Sequence, residues 1–171
     1  MAQVRAFKLA DRAAQGAVLA LRDTTAQRNS DGESPLILSP ATGAPVTLTL
    51  LGADSPQARR IDYRTRAAFQ TRVLTRATSG KKSAGITADD IADQETQEIE
   101  LLAALTIDWS GVIDADGAPC PCTLDNARDL YTGDADIREQ ALLFVGDRTR
   151  FFAPSSTPSA PTPSISSGLA A

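Results

Sequence analysis

The residues whose types and spacing invite chemistry crowd into one stretch, DWSGVIDADGAPCPCT, from Asp108 to Thr123. It holds the only tryptophan, Trp109, both cysteines and an Asp-Ala-Asp-Gly run. Asp114, Asp116 and Gly117 fit the third, fifth and sixth positions of a calcium loop. Val112, Pro119 and Thr123 then occupy the first, eighth and twelfth, so the bidentate glutamate is missing. What is left is a solvated turn of the kind Asp and Gly favour. Cys120-Pro121-Cys122 is a C-x-C, not the C-x-x-C of redox and zinc motifs, and no second pair completes four ligands. A zinc ion would need four thiolates from two chains. The plain alternative is two small apolar side chains in an extended segment leading to the next helix.

The rest of the chain offers little more to a chemist. Histidine is absent, which removes the side chain that titrates near neutral pH and the commonest metal ligand. No G-x-G-x-x-G follows a strand, and SGKKSAG, from Ser79 to Gly85, lacks the glycine spacing and Lys-Ser/Thr pair of a phosphate loop. The sequence therefore reads as non-enzymatic, with no catalytic residue, no metal site and no cofactor.

The elements that would position these residues follow from pattern. Local signals place a short opening helix in AFKLADRAAQG, stopped by Gly16, and a first strand in Ala17 to Asp23. A polar loop with an Asp31-Gly32 turn follows. Leu36 to Ser39 and Val46 to Leu51 flank a Pro-Ala-Thr-Gly turn, and Val46, Leu48 and Leu50 alternate with Thr47 and Thr49, as in a hairpin with one buried face. Ser55-Pro56 supplies an N-cap and a first-turn proline for a helix reaching about Thr78. Thr87 to Asp90 resembles a capping box opening a second helix that ends near Leu105, with its apolar residues gathered late, from Ile99 onward. Trp109 then closes the hydrophobic end of that helix.

Two more helices complete the reading. TLDNARDLY sets Leu124, Ala127, Leu130 and Tyr131 on one side. DADIREQALLFVGDRTRFF reads as one longer helix with a capping box from Asp136 to Glu139 and a stripe interrupted by Arg148. The fold class is thus α+β: a small N-terminal antiparallel sheet in residues 1–54, a mainly helical part in 55–152, and a Pro/Ser-rich disordered tail in 153–171.

Charge is distributed unevenly. Ser55 to Lys82 carries eight basic residues against one acid, whereas Thr87 to Asp116 carries nine acids and no base. The basic helix can bind phosphate backbones, pair with the acidic helix within or between chains, or present a solvated face. Pairing is the preferred reading. Stacking aromatics there are few, Tyr63 and Phe69, and the whole chain has net charge -4, which argues against nucleic acid. Lys8, Asp11 and Arg12 interrupt the place where a signal peptide needs a continuous apolar core. No run approaches the roughly 18 apolar residues of a membrane span. A cytosolic protein with reduced cysteines and no membrane is expected.

The stretch from Leu101 to Phe152 resembles the C-terminal part of the phage tail assembly chaperones of long-tailed phages. The pattern is an apolar helix end, W-x-G with a short turn, T-x-x-N-A-x-x-L-Y, then I-R-E-Q-x-x-x-F-V-x-D-R-x-x-x-F. It falls on Trp109, Gly111, Thr123, Asn126, Ala127, Leu130, Tyr131, Ile137, Arg138, Glu139, Gln140, Phe144, Val145, Asp147, Arg148 and Phe152. VTLTLLGADSPQARR, a strand followed by a basic helix, resembles the group's N-terminal half. The resemblance covers about Lys8 to Phe152. It implies a protein of the host cell cytoplasm, absent from the mature virion, whose partners are the tape measure protein and the tail tube protein. Homo-oligomerisation stays open. The residues expected to meet partners are Arg59, Arg60, Arg64, Trp109, Tyr131, Phe144, Arg148 and Phe152. Two other readings stand beside it: a structural virion component, such as a minor tail or capsid accessory protein, and a nucleic-acid-binding regulator using the Arg-rich helix.

Overall fold

The N-terminal sheet begins where the alternation places it. In the computed structural model, which describes residues 9–78 and 88–152, helix α1 (Leu9–Ala13) ends before Gly16 and strand β1 (Ala17–Ala20) follows. Strand β2 (Thr47–Leu50) pairs antiparallel with β1, Ala17 opposite Leu50 and Ala20 opposite Thr47. Leu48 and Leu50 are completely buried while Thr47 and Thr49 are only half-buried, the signature of a sheet covered on one face. The chain between Leu36 and Pro45 makes the expected turn, with Gly43 N–H donating to Ser39 O at 2.7 Å and Val46 N–H to Ile37 O at 2.8 Å. Its first arm is held by isolated bridges, Arg22 with Leu36 and Leu38 with Pro45, instead of a continuous strand.

The helical part opens on its predicted cap. Helix α2 (Pro56–Thr78) starts behind Ser55, whose fully buried Oγ accepts from Ala58 N–H at 3.2 Å, while Pro56 fills the first helical position. Gln57 Nε2 donates to Ala104 O at 2.6 Å and so fastens the start of α2 to the end of α3 (Ala88–Leu105). The hydrophobic end of α3 is the buried one: Leu102, Ala103 and Leu105 are shielded, with Ile99 and Leu101 packed against the same core. The segment from Ser79 to Thr87, containing the expected hinge and the start of the capping box, lies outside the described residues, as does the tail 153–171.

A strand stands where the sequence pattern placed a connection. Leu105 ends α3 and the next five residues form β3 (Thr106–Ser110) with no loop between. β3 pairs antiparallel with β2, Leu48 opposite Trp109 and Thr49 opposite Asp108, giving a three-stranded sheet in the order β1-β2-β3. Thr106 Oγ1 bonds back to Leu102 O at 2.8 Å, occupying the helix's terminal carbonyl as the chain turns into the strand. The β-branched Thr106 and Ile107 and the aromatic Trp109 suit a pleated, half-buried surface. The sheet therefore joins the stretch before residue 54 to the stretch after it, and the protein is α+β.

The last third also departs from its pattern in detail. Helix α4 (Leu124–Gly133) begins at Thr123, whose Oγ1 accepts from Asn126 N–H at 3.2 Å, and it buries Ala127 and Tyr131. Leu124, expected on the same side, is 47% exposed because the first turn overhangs the core. The longer helix is two. α5 (Ala135–Gly146) is capped by Asp134, which accepts from Asp136 and Ile137 N–H at 3.0 and 3.1 Å, two residues ahead of the Asp136–Glu139 box. At Asp147 the chain leaves helical geometry, and its carboxylate accepts from Thr149 N–H and Oγ1–H, starting α6 (Thr149–Phe152). This break turns α6 back over Gly52, where an added Cβ would lie 3.0 Å from the Phe151 ring. Helices and sheet share one apolar core running from Leu21 to Phe151.

The cap at Ser55 makes a clear stability probe. Ser55→Ala removes the acceptor at a buried helix start, and the unfolding free energy from a denaturant melt is expected to fall by about 1 kcal/mol with an unchanged circular-dichroism spectrum. An undiminished midpoint contradicts the capping role.

Candidate partner-binding surface

The positions of the W-x-G, T-x-x-N-A and I-R-E-Q pattern lock the last helices to the sheet. Trp109, half-buried on β3, donates from Nε1 to Cys120 O at 2.7 Å and so pins the following turn against the strand. That turn is the Asp-Gly element read from sequence: Asp114 Oδ1 accepts from Asp116 and Ala118 N–H at 3.0 and 2.9 Å, and Cys120 N–H returns to Val112 O at 3.0 Å. Gly111 has φ +81°, and a Cβ there would come within 3.1 Å of Ser39 Cβ and 3.3 Å of Val46 Cα, so both its backbone angle and its surroundings require glycine. Asn126 Nδ2 donates to Pro121 O at 2.9 Å, tying α4 to the extended segment before it.

Tyr131, Arg138 and Gln140 extend the framework inward. Tyr131 is fully buried and its hydroxyl lies 2.7 Å from Thr106 Oγ1, linking α4 to the start of β3. Burial pushes its phenol up from 10.0 to about 12, a shift the Thr106 hydrogen bond opposes. Arg138 donates to Tyr131 O at 3.1 Å and pairs with Glu95 of α3 at 2.8 Å. Gln140 Nε2 donates to Arg22 O at 2.7 Å while its Oε1 accepts from Arg22 N–H at 3.0 Å, clamping α5 to the chain just beyond β1. Phe144 is 5% exposed and meets Phe151 edge to face, ring centres 5.7 Å apart, with the Arg150 guanidinium 5.2 Å above it.

Several residues expected to meet a partner are therefore internal. Tyr131 and Phe144 point into the core and present no surface to a second protein in this fold. Trp109 is committed to Cys120, and Arg148 forks Asp54 with contacts of 2.8 and 3.2 Å, bridging α5–α6 to the turn before α2. Phe152 closes α6, and its side chain lies outside the described residues. Arg148, though paired, keeps a side chain 70% exposed, and Arg59, Arg60 and Arg64 are outward as well. These last three are exposed on the first turns of α2 and make no ion pair among the described residues.

Their arrangement is tighter than composition implies. At about 100° per residue, Arg59, Arg60, Tyr63 and Arg64 fall within an arc of roughly 140°. Tyr63, which is 70% exposed, stands between the arginines. The opposite side carries buried Ala58 and half-buried Ile61 toward α3. Glu95 and Glu100 of the acidic helix are matched by Arg138 and Arg128 of the C-terminal helices, Arg128 gripping Glu100 through two contacts of 2.7 and 2.8 Å. These two acids are thus answered from α4 and α5, not by the described arginines of α2. The geometry brings together three cations and one aromatic ring on a solvent-facing helix. Tyr63 was visible as an aromatic of the basic helix and Gln140 as a position of the I-R-E-Q pattern, whereas Thr106 carried no signal, since its role depends on what the fold puts opposite it.

Both cysteines of the segment are free thiols at half-buried positions. Burial pushes the Cys122 thiol up, and the nearby Asp108 and Cys120 push it further, away from the thiolate that a nucleophile or metal ligand needs. No group of three or more potential metal-ligating side chains occurs among the described residues. No described helix is long and apolar enough to cross a membrane. Comparison with family models, with curated proteins and with solved structures finds no match to this chain.

The Tyr131 phenol titrates about 12 in the fold and near 10.0 when unfolded, so its deprotonation favours the unfolded chain. The stability it contributes is intact below pH 10.0 and is lost as pH rises from there through about 12. Thermal melts of the wild type and Tyr131→Phe across this window are expected to converge at high pH, the variant lacking that part of the alkaline loss. Parallel pH dependences contradict a buried, hydrogen-bonded phenol.

Proposed function

We propose that this chain is a non-enzymatic tail assembly chaperone of a long-tailed phage, which holds the tape measure and tail tube proteins in an assembly-competent form. The observation that carries the reading is the joint use of the resembled positions. Trp109, Gly111, Thr123, Asn126, Tyr131, Arg138, Gln140 and Phe144 sit on different elements between β3 and α5 and serve one framework that joins α4 and α5 to the sheet. A chance match would scatter over positions with unrelated roles. In this reading the pattern preserves the scaffold, and the partner is met by the outward arc of Arg59, Arg60, Tyr63 and Arg64.

Such a surface suits a transient partner. Unpaired surface arginines speed encounter and set orientation through long-range attraction, while the exposed ring supplies local apolar contact. Tape measure or tube protein would then be released when polymerisation offers a larger interface. The same cations with an adjacent aromatic also favour a second reading, a nucleic-acid-binding surface.

Mixing the chain with the tape measure protein of its own genome, followed by size exclusion, decides between these. A shared peak and a higher soluble yield are expected, and the triple variant Arg59→Glu, Arg60→Glu, Arg64→Glu should weaken the complex by at least roughly tenfold, with a salt-dependent loss in the wild type. Separate peaks with no gain in solubility count against the chaperone reading. A gel shift at low salt that the triple variant abolishes would instead support the nucleic-acid surface.

A further inference from the structure

The two edges of the sheet are finished differently. On β3 the N–H of Trp109, which an added strand would need, is occupied by Asp108 Oδ1 at 2.9 Å. On the β1 side, Leu21 N–H donates to Val46 O at 2.9 Å, and the register of β1 against β2 turns the backbone groups of Ala17 and Leu19 the same way. The N–H and C=O groups of Val18 and Ala20 consequently point outward. They have no partner among the described residues. At the next outward position, Arg22, the Gln140 amide fills both backbone groups, standing where a neighbouring strand's peptide would stand. The open edge is thus a short, bounded one.

Beside it runs a groove of about 610 Å³ between β1 and α5. Its apolar part includes Val18, 62% exposed, Leu143, 69% exposed, and the buried Phe144. α5 runs antiparallel to β1: Asp136 is held by Thr24, Gln140 by Arg22, and Val145 O by Ala53 N–H at 3.4 Å. Arg22 and Glu33, paired at 2.9 Å, therefore mark one end of the groove. Asp147 and Arg150, paired at 3.1 Å, mark the other.

We propose that the occupant of this edge is a second copy of the chain, its β1 added antiparallel about a two-fold axis through Leu19. Three features of the site favour a copy over an unrelated strand. The charges at the two ends cancel, so the strand between them has to be uncharged, and β1 is Ala-Val-Leu-Ala. Antiparallel pairing sets the Arg22–Glu33 end of each copy against the Asp147–Arg150 end of the other, which lets each cation approach an anion. The two outward residues match themselves, Val18 facing the second copy's Ala20 and the reverse, as an isologous interface requires. The exposed Leu143 side chains of the two α5 helices then meet across the axis, and a six-stranded sheet results with its helices on one face. Gln140 sets where the shared ladder stops.

This inference does not depend on the proposed chaperone role and is tested on the full chain alone. Sedimentation over a wide concentration range is expected to show a monomer–dimer equilibrium, and hydrogen exchange at Val18 and Ala20 amides should slow as concentration rises. Val18→Lys and Leu143→Lys alter exposed side chains only. Each should raise the dimer dissociation constant by at least roughly tenfold without lowering the melting temperature at low concentration, whereas Leu124→Lys, at an exposed position on α4, should leave the dimer intact. A monomer at every concentration overturns the proposal. So does a dimer that Val18→Lys leaves unchanged, or one in which the Val18 and Ala20 amides still exchange rapidly. Slowing of those amides only after addition of tape measure protein assigns the edge to that partner instead.

Discussion

The side chains of Leu48 and Leu50 leave β2 on one face and are completely shielded from water, and the arrangement of the helices follows from that requirement. β2 is the central strand, so both flanking strands must extend the same covered face. Fully burying a leucine stabilises by about 1.5–3 kcal/mol, and a sheet of three short strands has few other apolar positions to contribute. Leu102 and Leu105 at the end of α3, Ala127 and Tyr131 on α4, and Ala141, Phe144 and Val145 on α5 supply the cover. The core is thin in aromatics, so the polar joints at its rim, Ser55 at the start of α2 and Thr106 with Tyr131, keep the layers in register.

Those joints change the meaning of the residues that drew attention first. Trp109 and the two aspartates of the turn, Asp114 and Asp116, lie in a segment that could have been a site. They are used instead to hold a hairpin of backbone: indole to Cys120 carbonyl, Asp114 carboxylate to the N–H groups of Asp116 and Ala118. Tyr131 and Phe144 likewise stabilise the interior. The residues left outward are plainer ones, among them three arginines and a tyrosine on the first turns of α2 and the uncharged edge of β1.

How far this was legible beforehand varied with the range of the interactions. The alternation of Val46, Leu48 and Leu50, the Ser55-Pro56 helix start, the Thr123 cap and the Asp114–Gly117 turn all depend on neighbours within a few positions, and each appears where the pattern put it. The third strand was not legible, because Thr106 to Ser110 is too short to display a period and becomes a strand by pairing with residues about sixty positions earlier. The break at Asp147 was hidden for a related reason: Ile137, Phe144 and Phe152 keep helical spacing across it, and only the Asp147 cap and the packing of Phe151 beside Gly52 reveal two helices.

Sequence alone determined the composition of the surface chemistry: no histidine, a C-x-C without a second pair, a calcium-like loop lacking its terminal glutamate, and separate basic and acidic blocks. It also determined the local elements, because caps, turns and strand alternation are decided by residues in contact along the chain. Which of the arginines face solvent, which acids are already neutralised by Arg128 and Arg138, and which edge of the sheet is left open were decided only by tertiary structure. The physical reason is that burial and pairing belong to two segments at once. Gln140 becomes an edge cap only when α5 lies beside Arg22, and a carboxylate such as Glu95 loses its free charge only when a guanidinium from another helix arrives.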